Sequence, residues 1–115
     1  MLEVFFKMII GHAIADFSLQ NDAMAIGKVR PKMKLDLSES QVSTLSWQYW
    51  LSAHALIHGG AVWIATGVVW LGMAETLAHG VIDFLKCEGI TNQHQDQALH
   101  LICKFVWLGM LWCCF

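Results

Sequence analysis

The sequence has little charge. Only 14% of its 115 residues are Asp, Glu, Lys or Arg, against 57% hydrophobic residues; ordinary soluble domains carry about 25% charged residues. Lysine and arginine together number seven and the formal charge is -2, too few basic groups for a nucleic-acid footprint. Proline occurs once, at Pro31, and argues against a continuous helix at that point. The four cysteines, Cys87, Cys103, Cys113 and Cys114, form no C-x-x-C pair and suggest no disulfide framework. They read as scattered small apolar residues or lipid-adjacent thiols. No basic region precedes the first apolar run, and His12 and Asp16 interrupt it, so that run is read as a retained helix rather than a signal peptide.

What the chain does have is apolar length. Mean hydropathy is +0.51, and the excess favours a multi-spanning membrane protein over a soluble bundle. The six tryptophans fit interfacial belts. A span needs roughly 20 residues. The stretch 45–86 is almost uninterrupted, too long for one span and sufficient for two, with the break between Gly67 and Gly72. The expectation is a single all-α domain over 1–115, a four-helix transmembrane bundle with helices near 2–26, 45–67, 71–87 and 93–114. Gly89 would stop the third helix and Asn92 would cap the fourth. The loop 27–44 carries Lys28, Arg30, Lys32 and Lys34. The positive-inside rule makes it cytoplasmic, and it reads as a solvated, orienting loop, with a short interfacial turn near Ser38–Gln41.

Each apolar segment contains one pair of polar groups four residues apart: His12/Asp16, His54/His58, His79/Asp83 and Asp96/His100. Four apart on a helix is one turn apart on one face. Gln20 extends the first stripe and Glu75 the third. A charged group at the centre of a bilayer costs at least ~2.5 kcal/mol, so these stripes should face an interior. Tracing the helices from a cytoplasmic loop brings all four pairs to similar depth on the cytoplasmic side. A single buried histidine is more often a satisfied hydrogen bonder than a ligand; four pairs at one depth point to a shared site. Asp96 also has a plainer reason to be where it is, since a carboxylate suits a helix N-terminus. His94 is expected in a loop outside the site.

Imidazole with carboxylate suits zinc first, then iron or manganese, and the eight candidates exceed what one tetrahedral ion needs. One or two ions are therefore expected, with surplus groups as hydrogen-bonded supports or a general base. In a catalytic reading His12, Asp16, His79, Asp83 and His100 hold metal, while Asp96, His54 and His58 are further ligands or the base. The natural reaction is hydrolysis of an ester or phosphoester of a lipid-like substrate. The alternatives are a structural metal or polar staple in a membrane-interaction protein, and proton or metal-ion transport. Transport is disfavoured because the outer half offers little beyond Glu75, Lys7 and Glu3. Haem suits the several aspartates poorly. A soluble four-helix protein is the remaining possibility, and the polar first segment is its best support.

The ordered pieces GHAIADFSLQ (His12, Asp16, Gln20), HALIH (His54, His58), AHGVIDFLK (His79, Asp83, Lys86) and DQALH (Asp96, Gln97, His100) resemble an uncharacterised family, a domain of unknown function, of small multi-spanning membrane proteins from bacteria and their phages. The resemblance covers nearly the whole chain. It implies a multi-pass bacterial inner-membrane location and architecture; the lipid bilayer is the expected partner, with a homo-oligomer or another membrane protein as a further expectation. It implies no reaction. Glu75 and the tight connection near Gly67 fall outside these motifs.

Overall fold

The computed structural model describes residues 1–30 and 46–115. Pro31, Lys32, Lys34 and the Ser38–Gln41 patch, and with them most of the expected loop, lie outside the described residues. All regular structure among the described residues is helical: α1 (Leu2–Ala13) runs into a π-helical turn (Ile14–Ser18), followed by α2 (Asp22–Gly27), α3 (Trp47–Thr66), α4 (Val69–Cys87) and α5 (Gln93–Cys114).

The first apolar segment is not the single helix expected over 2–26. The Leu19 amide reaches the Ile14 carbonyl at 2.9 Å, an i→i+5 bond that widens the turn by one residue. The neighbours Ala15 and Asp16 are both buried. Asn21 then accepts a bond from the Met24 amide at 2.8 Å and starts a new helix.

The other boundaries have local causes. Gly67 ends α3 at φ 74°, a left-handed conformation that glycine adopts without strain. The Thr66 hydroxyl donates to the Val62 carbonyl at 2.8 Å and accepts from the Val68 amide at 3.2 Å, closing the two-residue link to α4. Gly89, at φ 75°, follows α4. Asn92 and Gln95 form a reciprocal capping box on α5. His94 falls in the first turn of α5, exposed, rather than in a loop.

The helices run up and down in a closed ring, in which α3 packs on α4, α4 on α5, and α1 on both α3 and α5. The α3–α4 approach is closest. A Cβ on Gly59 would lie 2.6 Å from the Gly72 carbonyl oxygen, and one on Gly72 would lie 2.7 Å from that of Gly59.

The ring divides into two ends. At one, Met8, Val62, Leu71 and Trp107 form an apolar core, with Val4, Phe5 and Ala65 packed against it. At the other, the interior is polar. Asp16, Lys28, His54, His58, Glu75, His79, Asp83, Asp96, His100 and Lys104 are all buried. The outer surface is the reverse. Leu2, Ile64, Leu77, Trp70 and Phe17 are each more than 60% exposed, with Ile64 at 83%.

Among the described residues only α5 is long and apolar enough, by length and composition, to cross a membrane, where four spans were expected. The shortfall has a structural cause. In α3 the interior face carries His54 and His58, and in α4 it carries Glu75, His79 and Asp83; averaging along a helix mixes these buried groups with the apolar outer face. α1, at 12 residues, is shortened by the π-helical turn.

Candidate metal centre

The spacing of four residues sets the site. It stacks His54 over His58 on α3 and Asp96 over His100 on α5, and it lines Glu75, His79 and Asp83 along one face of α4. Ring packing turns these stripes into one cluster. The His58 and His79 rings stack with centroids 3.5 Å apart, and His79 and His100 stack at 4.2 Å. His54 lies 4.7 Å from His58 and 5.0 Å from His79, and His12 lies 5.1 Å from His58 and 5.2 Å from His100.

Asp16 meets these rings from the π-helical turn. Its Oδ1 is 3.3 Å from Nε2 of both His54 and His58. One donor atom each from Asp16, His54, His58 and His79 falls within 4.8 Å of all the others, close enough for four ligands of one ion. Among the described residues, both ring nitrogens of His79 and Nδ1 of His12, His54, His58 and His100 are buried without a hydrogen-bond partner, and Nε2 of His54 and His58 both converge on the one Asp16 oxygen. A buried polar atom left unsatisfied costs about 1–3 kcal/mol, and native interiors hold few of them. A metal ion is a single partner that satisfies several at once.

The remaining candidates sit around this centre. His12 Nε2 is 3.2 Å from the Gln97 side-chain oxygen, while the Gln97 amide donates to Asp16 Oδ2 at 2.9 Å and to Asp96 Oδ2 at 3.2 Å. Gln97 thereby fixes the free oxygen of Asp16 and leaves Oδ1 toward the histidines. Asp83 and Asp96 are engaged by lysines. Lys28 donates to Asp83 Oδ2 at 2.7 Å, and Lys86 lies 3.2 Å from Asp83 Oδ1 and 3.1 Å from Asp96 Oδ2. These two aspartates approach the imidazoles from outside the four-atom group, with Asp96 Oδ1 3.4 Å from His100 Nε2 and Asp83 Oδ2 3.8 Å from His54 Nε2. Such carboxylate–imidazole contacts orient ligands and raise their basicity.

Two lysines carry more than their sequence positions suggest. Lys28, expected in a solvated loop, is 3% exposed and also donates to Gln20. Arg30, from the same basic run, pairs with Glu88 through two nitrogens and sits over the Phe84 ring, so the described part of that run is held against the bundle. Lys104 is 1% exposed and donates to Glu75 Oε1 at 2.5 Å; Trp107 Nε1 donates to Glu75 Oε2 at 2.5 Å. Glu75 Oε1 is in turn 3.6 Å from His79 Nδ1. The sequence held one signal for Lys104: it continues the Asp96, His100 stripe by one more turn.

The fold and its interior define a class, an all-helical bundle built around a buried imidazole–carboxylate centre able to hold a metal ion. The chain belongs to the DUF3307 family, a protein family of unknown function, whose pattern matches residues 4–113. No curated protein and no solved structure matches it.

Proposed function

We propose that the protein is a membrane-embedded helical bundle that holds a divalent transition metal at Asp16, His54, His58 and His79 and hydrolyses an ester or phosphoester bond of a lipid-like substrate. The observation that carries the metal is the four-donor group, within 4.8 Å, among buried imidazoles that lack hydrogen-bond partners. Three imidazoles and a carboxylate suit zinc, with iron or manganese next. His12 and His100 are the imidazoles left for a second ion.

The inverted polarity supports the membrane. Water would penalise an outer surface carrying Ile64, Leu77 and Trp70, whereas lipid accepts it. The close Gly59–Gly72 approach is the small-residue contact that membrane helices use. The reading places the chain across a bacterial inner membrane, with the basic stretch after α2 on the cytoplasmic side.

A bound zinc supplies Lewis acidity and brings the pKa of water down toward neutrality. The chain supplies the rest. Gln97 orients Asp16; Asp83 and Asp96, neutralised by Lys28 and Lys86, steady His54 and His100. A structural role is the second reading, favoured by the fact that four protein donors close a tetrahedral shell. The apolar core of Met8, Val62, Leu71 and Trp107 blocks the interior at its other end and disfavours a through-going transport path.

Wild type compared with Asp16→Asn separates the two readings. Protein purified from the membrane fraction is assayed for zinc by elemental analysis and for hydrolysis of lipid ester and phosphoester substrates. The hydrolytic reading expects zinc-dependent turnover in wild type, with zinc and turnover lost together in Asp16→Asn; zinc without turnover in wild type, and zinc and thermal stability lost together in the variant, supports the structural one. A wild-type protein that stays in the soluble fraction, or that takes up no transition metal, sinks the proposal.

A further inference from the structure

A cavity of about 240 Å³ opens between α1 and α5, lined by Ile9, His12, Gln97, His100, Leu101 and Lys104. Its composition is graded. Leu101 is 45% exposed on the outer surface, whereas His100 and Lys104 are each 1% exposed. The cavity therefore connects the apolar exterior with the imidazole cluster from the side of the bundle, not from its end.

The charges around the cluster do not balance. Among the described residues, four carboxylates, Asp16, Glu75, Asp83 and Asp96, face three lysines, Lys28, Lys86 and Lys104. With neutral imidazoles one negative charge is left over, and a divalent cation turns the balance into one positive charge. A buried net charge is costly unless paired, so the metal-loaded site favours a ligand carrying one negative charge. A donor is at hand in the cavity wall. An ammonium group has three N–H donors, and among the described residues Lys104 spends one on Glu75.

We infer that this lateral cleft binds a single-chain amphiphile with a monoanionic oxyacid head, the head beside His12, Gln97, His100 and Lys104 and the chain leaving past Ile9 and Leu101. The inference rests on the metal reading and names the ligand class of that site. A cavity of this size takes a head group and the first carbons of one chain and leaves the remaining carbons to the surrounding lipid. A carboxylate and a phosphodiester share the required charge.

The test uses the full chain in neutral detergent, with and without one equivalent of zinc, titrated with dodecanoate, with lauroyl-lysophosphatidylglycerol, and with the uncharged monolaurin. Bound amphiphile is counted by native mass spectrometry. Binding of one anionic molecule in the zinc-loaded protein is expected, at least about tenfold tighter than monolaurin, as one hydrogen bond to a charged group would give. Which anion binds tells a fatty acid from a phosphodiester lipid. Leu101→Trp, and independently Ile9→Trp, should fill the cleft and abolish this binding while the zinc equivalent is kept, which also reports that the variant is folded. Zinc bound with no preference for charge, or anion binding undiminished in both zinc-retaining tryptophan variants, overturns this inference and leaves the metal site standing. No zinc in the wild type overturns both.

Discussion

The two ends of the bundle are made by the same four helices and stabilised in opposite ways. At one end Met8, Val62, Leu71 and Trp107 pack against one another and gain by close van der Waals contact. At the other, ten polar side chains among the described residues are buried, and removing them from water is unfavourable unless each charge finds a partner. The apolar end explains why the chain folds. The polar end costs stability as it stands, which is why it reads as a site rather than a core. Sites of function are where local consistency is given up.

The Lys104–Glu75 pair lies at the boundary of the two ends and should show the largest effect of a substitution outside the four donors. Lys104→Met leaves Glu75 buried and uncompensated, and breaking such a pair costs about 3–5 kcal/mol. Unfolding in mixed micelles should show that loss, and adding Glu75→Gln should restore much of it. If Lys104→Met alone is neutral, the two ends do not depend on charge pairing in the way described. A smaller effect is expected inside the apolar end. Leu71→Ala removes a fully buried side chain at about 2–5 kcal/mol, and it should leave zinc content unchanged, because Leu71 packs in the apolar cluster with Met8, Val62 and Trp107. Zinc loss in Leu71→Ala would mean that the ends are one cooperative unit.

The polar end was partly legible in the sequence. His12/Asp16, His54/His58, His79/Asp83 and Asp96/His100 are helical-period pairs, and alternation of helix direction brings them to one end. Gly67, Gly89 and Asn92 marked boundaries because their backbone roles are local. What escaped depended on tertiary contact. Lys28 meets Asp83 across 55 positions and Lys104 meets Glu75 across 29, and a lone lysine beside a loop or within an apolar run carries no sign of its partner. The π-helical turn at Ile14–Ser18 was hidden for a related reason. An i→i+5 bond leaves the residue types unchanged, and the His12, Asp16, Gln20 stripe reads as an unbroken α-helix. The separation of candidate metal donors from the aspartates around them needed the lysine positions too, since Asp83 and Asp16 look alike in sequence.

Zinc-dependent stabilisation, compared across three proteins, tests the central claim most directly. Wild type, Leu71→Ala and His58→Ala are unfolded in mixed micelles with and without zinc at about 100 times its Kd, a concentration that stabilises a one-site protein by about 2.7 kcal/mol. The account expects this gain in wild type and in Leu71→Ala, despite the latter's lower baseline, and its absence in His58→Ala. An equal gain in His58→Ala, or none in wild type, would contradict the view that the polar end is built around a metal ion.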